Sequence, residues 1–173
     1  EARLENPTGF PEDLSGFNFN GATLTGVKLA GCLLKGTSFS RTELAGVDLG
    51  GADASDADFS GAALGGARLE GAILRKAWFI KTDLVKANLR GADLRGANLT
   101  EARMEGTDLE GSDLRRGHFD KAEIETRRLV ATDLRDANVA FLDFSGVDFS
   151  GRDLSGTDFS DCNLTGASFR NAI

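Results

Sequence analysis

Few residues of this 173-residue chain have the types and spacing that enzyme chemistry would need. The single histidine, His118, is the one candidate for a general base. A catalytic triad or a multi-histidine metal site would need further groups at suitable spacing, and the sequence does not supply them. We therefore expect no enzymatic activity, no catalytic or metal-binding residues and no cofactor.

Aspartates recur at intervals of 20 residues and could suggest a ladder of cation sites. Arginines recur at the same interval, two residues after the aspartates within each unit. Alternating charges of this kind are typical of a solvated, salt-bridged face, and this is the interpretation we favour. The aspartates are Asp93, Asp113, Asp133 and Asp153, and the arginines are Arg75, Arg95, Arg115 and Arg135.

The element that positions these residues is a repeat of five. From Leu14 to Phe169 every fifth residue is a repeat centre, which gives 32 consecutive pentapeptides, and 30 of the centres are Leu, Phe, Ile or Met. A small residue usually stands two places before the centre and an Asp or Asn often stands one place before it. Of the 22 glycines, 18 stand two places after it. A period of five fits neither a helix nor a strand, whereas a fixed internal repeat predicts a solenoid.

The motif A(D/N)LXX resembles that of the pentapeptide-repeat proteins over residues 12 to 171. The resemblance implies an all-β fold, a right-handed quadrilateral β-helix with four pentapeptides per coil and therefore about eight coils. We expect residues 12–173 to form this single domain. Residues 1–11 are expected to form an N-terminal cap or linker, in which Phe10 and Pro11 cover the first coil.

The spacing of phenylalanine supports four pentapeptides per coil. Most phenylalanine centres are separated by multiples of 20, so they share one face of a four-sided coil and form a core column. Leu99 and Val139 interrupt this column. Cys32 and Cys162 take inward small positions about six coils apart, too far for a disulfide. The core column consists of Phe19, Phe39, Phe59, Phe79, Phe119 and Phe159.

The largest departure from the repeat lies between residues 72 and 90. Outward positions that are Asp, Asn or Ser in other units carry Ile, Val and Trp here, and five basic residues stand against Asp83 alone. A surface that mixes aromatic, aliphatic and basic groups is typical of a protein-binding patch. The alternative is that Trp78 and Ile80 only cover a face of the fold. We name this candidate patch the basic belt; it comprises Ile73, Arg75, Lys76, Trp78, Ile80, Lys81, Val85 and Lys86.

These features favour a non-enzymatic rigid scaffold that binds another protein. The net charge of -7 argues against direct nucleic-acid binding, because phosphate contacts need clustered Lys and Arg. No apolar run is long enough for a membrane span. The chain ends inside a repeat at Ala172 and Ile173, which predicts end-to-end self-association or attachment to a further domain.

The family resemblance also implies an alternative function. Some pentapeptide-repeat proteins mimic DNA and modulate type II topoisomerases, which confers quinolone resistance. At about 4.8 Å per coil an eight-coil mimic is roughly 38 Å long, and DNA of that length presents roughly 22 negative charges. The net charge of -7 and the basic belt favour the scaffold over this alternative.

Overall fold

The computed structural model describes residues 13–173, so the predicted cap with Phe10 and Pro11 lies outside the described residues. Residues 13–173 form a β-helix solenoid in which the chain turns after every five residues. The helix in this range is a 3-10 helix, Thr126–Ala131. No helix of the described chain has the length and apolar character that crossing a membrane requires.

A tight turn closes each pentapeptide. The N–H of Ala77 donates to the carbonyl of Leu74 at 3.1 Å, and the same bond from the third residue after the centre recurs along the chain. The residue two places after the centre adopts a left-handed backbone, as Gly96 does with φ of 70°. Such turns need a positive φ at their third position, which glycine adopts without a steric penalty. This requirement explains why glycine recurs at the corners of the solenoid.

The Asp or Asn before each centre has a local role. The Oδ1 atom of Asp83 accepts a hydrogen bond from the N–H of Val85 at 3.0 Å, and the same contact joins Asn98 to Thr100 at 3.0 Å. The side chain thus satisfies the backbone N–H of the residue after the centre, which lies in the turn. The repeat therefore favours Asp and Asn at this outward position.

Successive turns of the solenoid pair through parallel β-bridges between residues 20 apart, as between Ile73 and Asp93. The N–H of Leu74 donates to the carbonyl of Asp93 at 2.8 Å, and equivalent bonds join other centres to the residue 19 places ahead. Four pentapeptides therefore lie between paired residues, and residues 20 apart stack along the solenoid axis.

The four pentapeptides of one turn make four sides. We number the sides by the centres they carry: Leu74 belongs to the first side, Phe79 to the second, Leu84 to the third and Leu89 to the fourth. All four centres are fully buried. The core is thus a narrow column of large side chains from four directions, separated by the small residues that precede each centre.

The second side contributes a stack of aromatic rings to this core. The ring centroids of Phe39 and Phe59 lie 5.1 Å apart, and those of Phe59 and Phe79 lie 5.0 Å apart, with interplanar angles of 6°. Phe19 extends the stack, 5.3 Å from Phe39. The register of 20 residues fixes this near-parallel arrangement, because each ring sits directly over the ring of the preceding turn.

The later part of the same side packs differently. Phe119 is fully buried between Leu99 and Val139, whose aliphatic side chains interrupt the stack. Phe159 is only partly buried, and its ring meets that of Phe144 at 73° with centroids 5.5 Å apart. Rings from different sides meet in this last part of the core, and on the fourth side Phe149 and Phe169 also stack, with centroids 5.2 Å apart.

The small inward positions hold hydroxyls as well as alanine. Thr82 is fully buried, and its Oγ1 donates to the carbonyl of Phe59 at 2.7 Å. Thr107 makes the equivalent bond to Leu84 at 2.8 Å. A buried hydroxyl with such a partner costs little, so Ala and Thr both fit beside the core.

The 3-10 helix interrupts the repeat at Arg127, which stands two places before a centre, where other units have a small inward residue. The Arg127 side chain is 79% exposed and pairs with Glu125 at 2.9 Å, so the chain bulges instead of burying the charge. Leu129 remains fully buried within the helix. Arg152 at an equivalent inward position turns its guanidinium to the carbonyl of Thr132 at 2.7 Å.

Phe59→Ala should lower the free energy of unfolding by about 3–5 kcal/mol, because it empties a fully buried site between two stacked rings. Urea denaturation followed by circular dichroism measures this change. Phe141→Ala is the matched control, since the Phe141 side chain is 54% exposed and should cost far less. Equal losses for the two variants would contradict the stacked core.

Candidate functional site

The basic belt occupies a single turn of the solenoid but extends over three of its sides. Ile73 and Arg75 lie on the first side, Trp78 and Ile80 on the second, and Val85 on the third. The three lysines lie at the corners between sides. Trp78 stands between two of these corners and is 55% exposed, whereas Ile73, Ile80 and Val85 are half-buried. The structure thus places the belt around the rod, with Trp78 near its middle.

Each lysine of the belt stands two places after a repeat centre, the position that holds 18 of the 22 glycines. Lys76, Lys81 and Lys86 have φ values of 56°, 56° and 57°. The left-handed conformation costs a residue with a Cβ roughly 1–2 kcal/mol relative to its ordinary backbone. Among the described turns, this one carries lysine at three successive corners. The local stability of the belt is therefore lower than the repeat allows.

Two of these lysine side chains extend over the next turn. A Cβ at Gly96 would lie 3.4 Å from Cγ of Lys76, and a Cβ at Gly106 would lie 3.3 Å from Cγ of Lys86. The glycines leave room for the lysine stems. Lys81 instead meets Glu101 above it, with Nζ 3.5 Å from the carboxylate.

The belt also gives up two of the side-chain caps that the repeat uses. Ile73 and Trp78 replace Asp or Asn before the centre, and neither side chain can accept a hydrogen bond. The N–H groups of Arg75 and Ile80 therefore lose the acceptor that units with Asp or Asn before the centre supply. A typical hydrogen bond contributes about 1 kcal/mol, so these substitutions add to the cost of the lysine corners.

The predicted salt-bridged face is confirmed on the first side. Arg95 binds Asp93 with Nη2 at 2.6 Å, and its Nε lies 3.6 Å from Asp113 of the next turn. Arg115 binds Asp113 at 2.5 Å and lies 3.7 Å from Asp133 of the next turn, so each of these arginines joins two turns. The full ladder runs through Arg75, Asp93, Arg95, Asp113, Arg115, Asp133, Arg135 and Asp153.

The ladder lowers the pKa of its aspartates. The hydrogen bonds from the Arg95 guanidinium hold the pKa of Asp93 well below its usual range, against the opposing effect of burial. Arg115 lowers the pKa of Asp113 in the same way. Arg135 likewise lowers the pKa of Asp133. These aspartates are therefore charged, paired groups at neutral pH.

The groups considered for chemistry lie apart from one another. His118 is exposed on the second side. Cys32 is buried and Cys162 half-buried, both as free thiols, and Cys162 donates to the carbonyl of Val139 at 3.1 Å. Burial raises the pKa of the Cys162 thiol, which lowers its reactivity. Within residues 13–173, no three His, Cys, Asp or Glu side chains form a cluster suited to a metal.

The sequence analysis missed Phe141. This residue has a φ of 64° and its side chain is 54% exposed, with Nζ of Lys121 lying 5.5 Å from the ring centroid. An aromatic residue in the left-handed region is an outlier that needs a local reason. Its signal was available, because Phe141 stands two places after the centre Val139, where the repeat favours glycine.

These features define a class of protein: a repeat solenoid that displays side chains at fixed spacing on its sides and corners. The family model for pentapeptide repeats matches eight copies, over residues 18–53, 55–91, 79–116 and 143–173. The chain therefore belongs to the pentapeptide-repeat family. The 3-10 helix falls between the last two matched segments.

Solved structures of the family resemble this chain over most of its length. Full-length QnrB1, a plasmid-mediated fluoroquinolone resistance protein, is 15% identical with a TM-score of 0.50, over 88% of this chain and 91% of QnrB1. This likeness shows a shared fold.

Two cyanobacterial proteins also match. HetL from Nostoc sp. strain PCC 7120, involved in heterocyst differentiation regulation, is 25% identical with a TM-score of 0.41, over 94% of this chain and 89% of HetL. Rfr23 from Cyanothece 51142 is 22% identical with a TM-score of 0.43, over 93% of this chain and 90% of Rfr23. No curated protein matches the chain.

Asp93→Asn should lower the free energy of unfolding at pH 7 by up to about 1 kcal/mol, because it removes a charge from a partly exposed ladder. The lowered pKa of Asp93 means that the carboxylate stabilises the fold above the ordinary aspartate pKa of about 3.9. This stability is lost as the pH falls through the folded-state pKa. The difference in the free energy of unfolding between the variant and wild type should therefore become smaller below about pH 4. Urea denaturation at a series of pH values measures it.

The control for this titration is Asp58→Asn. Asp58 caps the N–H of Ser60 at 2.9 Å, and no lysine or arginine of the described residues forms an ion pair with it. We expect a smaller loss at pH 7. A loss at Asp93 that is no larger than at Asp58 would contradict a stabilising ladder.

Lys86→Gly should raise the free energy of unfolding by about 0.5–1 kcal/mol, because relief of the left-handed backbone exceeds the entropy cost of glycine. Thermal or urea denaturation measures the gain. Lys28→Gly is the control: Lys28 lies in a β-bridge with Asp48, so glycine there should destabilise the protein. A loss of stability at Lys86→Gly would show that the corner is unstrained.

Proposed function

We propose that this chain is a non-enzymatic scaffold, a right-handed rod of about eight coils that binds another protein through its basic belt. The observation that carries the proposal is the concentration of costly residues in one turn. Three left-handed lysines and two lost caps fall within 14 consecutive positions, from Ile73 to Lys86. Residues that break the local rules of a fold without stabilising it are typical of functional surfaces.

The chemistry of the belt indicates the kind of partner. Trp78 is a large, exposed aromatic side chain, and tryptophan is among the residues that most often dominate binding energy. Lys76 and Lys81 flank it at the two neighbouring corners. A complementary surface would offer an apolar pocket for the indole and acidic side chains around it.

The geometry limits how the partner approaches. The belt extends over three sides of the rod, so a flat surface reaches the second side and its two corners but not the first and third sides together. We therefore expect Trp78, Ile80, Lys76 and Lys81 to carry most of the contact. Arg75, Ile73, Val85 and Lys86 would form its rim.

The alternative of DNA mimicry gains no support from the charges of the first side. The aspartates of that side are neutralised by arginines at 2.5–2.6 Å, whereas a DNA mimic needs a continuous negative surface. The 15% identity to QnrB1 supports a common fold without extending that protein's activity to this chain.

The test compares capture of a partner by wild type and by the double variant Trp78→Ala, Lys81→Glu. The purified proteins serve as baits for an extract of the source organism, and mass spectrometry identifies what each retains. We expect a specific protein to bind wild type and to be lost at least tenfold with the double variant. Circular dichroism of the variant should match that of wild type.

The matched control is Phe141→Ala, Lys121→Glu. Phe141 is 54% exposed against 55% for Trp78, and Lys121 has a φ of 54° at the same corner column as Lys81. This control removes similar apolar area and the same charge from the same edge, two turns away from Lys81. Retention of one partner by all three baits, or by none, would overturn the assignment of the belt.

A further inference from the structure

A groove with a volume of about 380 Å³ lies along the corner between the first and second sides. Gly96 stands at its middle, between the corner residues of the turns below and above, Lys76 and Arg116, and leaves room for the stem of Lys76. Five basic side chains and one carboxylate surround this space. The lining residues are Arg75, Lys76, Arg95, Gly96, Arg115, Arg116 and Asp136.

The arginines of the ladder that line this groove keep N–H donors that their aspartates do not use. Arg95 uses Nε and Nη2 to bind the two carboxylate oxygens of Asp93, at 2.8 and 2.6 Å. Arg115 binds Asp113 through the same two nitrogens, at 2.9 and 2.5 Å. A guanidinium has five N–H donors in a rigid plane, so Nη1 of each arginine keeps its two donors beyond these bonds. The aspartates thereby fix the orientation of the arginines without using all of their donors.

The two corner cations of the groove are weakly compensated. Among residues 13–173, Lys76 has no carboxylate within 4 Å of its ammonium. Arg116 is 80% exposed, and its one ion pair in this range is with Asp136 at 3.7 Å. Both residues have left-handed backbones, with φ of 56° and 59°. The chain therefore places two cations beside the opening over Gly96 in a backbone conformation that costs stability.

We propose that this groove binds a phosphate group as its dianion. Planar guanidinium groups match the oxygens of a phosphate with paired hydrogen bonds, and a lysine ammonium adds a further charge-assisted bond. The site lies at the corner between the first and second sides. It extends beyond the protein contact proposed above, with which it shares Arg75 and Lys76. The phosphate is either free in solution or carried by a phosphorylated side chain of a protein.

The first experiment is isothermal titration of the purified chain with inorganic phosphate and, separately, with a short phosphoserine peptide, at low ionic strength. We expect saturable binding at one site. Binding of both ligands identifies the bare anion as sufficient, and binding of the peptide alone identifies a phosphorylated protein as the source. Absence of saturable heat with both ligands would overturn the proposal.

Two substitutions at Gly96 localise the site. Gly96→Asp places a carboxylate between Lys76 and Arg116 and should weaken binding at least tenfold. Gly96→Asn has nearly the same shape and the same tolerance of a left-handed backbone, but no charge, so it should retain binding within about threefold. Equal effects of the two variants would show that the groove is not an anion site.

A matched pair of lysines provides the second comparison. Lys76→Gly should weaken phosphate binding about tenfold, whereas Lys86→Gly should change it less than twofold. Both lysines are left-handed and both extend over a glycine of the next turn, so the two variants relieve the same strain. Equal weakening would indicate a general charge effect and would contradict the site. Loss of phosphate binding in Gly96→Asp with intact capture of the partner separates this inference from the proposed function.

Discussion

The left-handed corner at every fifth residue is the constraint on which the rest of this structure depends. A corner that turns the chain by the same amount each time lets four short sides close one turn, so that residues 20 apart hydrogen-bond in parallel. The stacking of Phe39, Phe59 and Phe79 follows from that register. The ladder of arginines and aspartates on the first side also follows from it, because each charge meets its opposite in the next turn.

The same constraint means that departures from the repeat can be recognised by what they cost in stability. A glycine corner is nearly free of strain. An Asp or Asn before the centre accepts a hydrogen bond from the backbone N–H two residues later. A lysine corner or a tryptophan before the centre gives up one of these advantages. Because the basic belt gives up several of them within one turn, its residue types reflect demands other than folding. Lys76 belongs both to this belt and to the phosphate groove, so the two proposed contacts meet at one corner.

The period of five predicted a solenoid with inward centres, because these depend on spacing alone. The family resemblance implied four pentapeptides per coil, and the intervals of 20 between phenylalanine centres supported it. The same interval also brought the ladder residues to one side. Spacing could not predict that the chain leaves the β-helix at Thr126–Ala131, since that depends on the cost of burying Arg127 against the cost of a 3-10 helix. The groove over Gly96 was equally hidden, because it arises from side chains of three successive turns whose directions no single repeat specifies.

The 3-10 helix gives the rod a mechanical character that a perfect repeat lacks. On the second side, backbone bonds such as that from Phe119 to the carbonyl of Asn138 continue across this level at 2.8 Å. On the third side, the hydroxyl of Thr126 takes the place of a backbone donor to Asp143, and at the start of the first side Arg152 does the same for Thr132. Side chains stretch and rotate more readily than a paired backbone. We therefore expect the rod to bend more readily at the turn that carries the 3-10 helix than at turns whose backbones pair on all four sides.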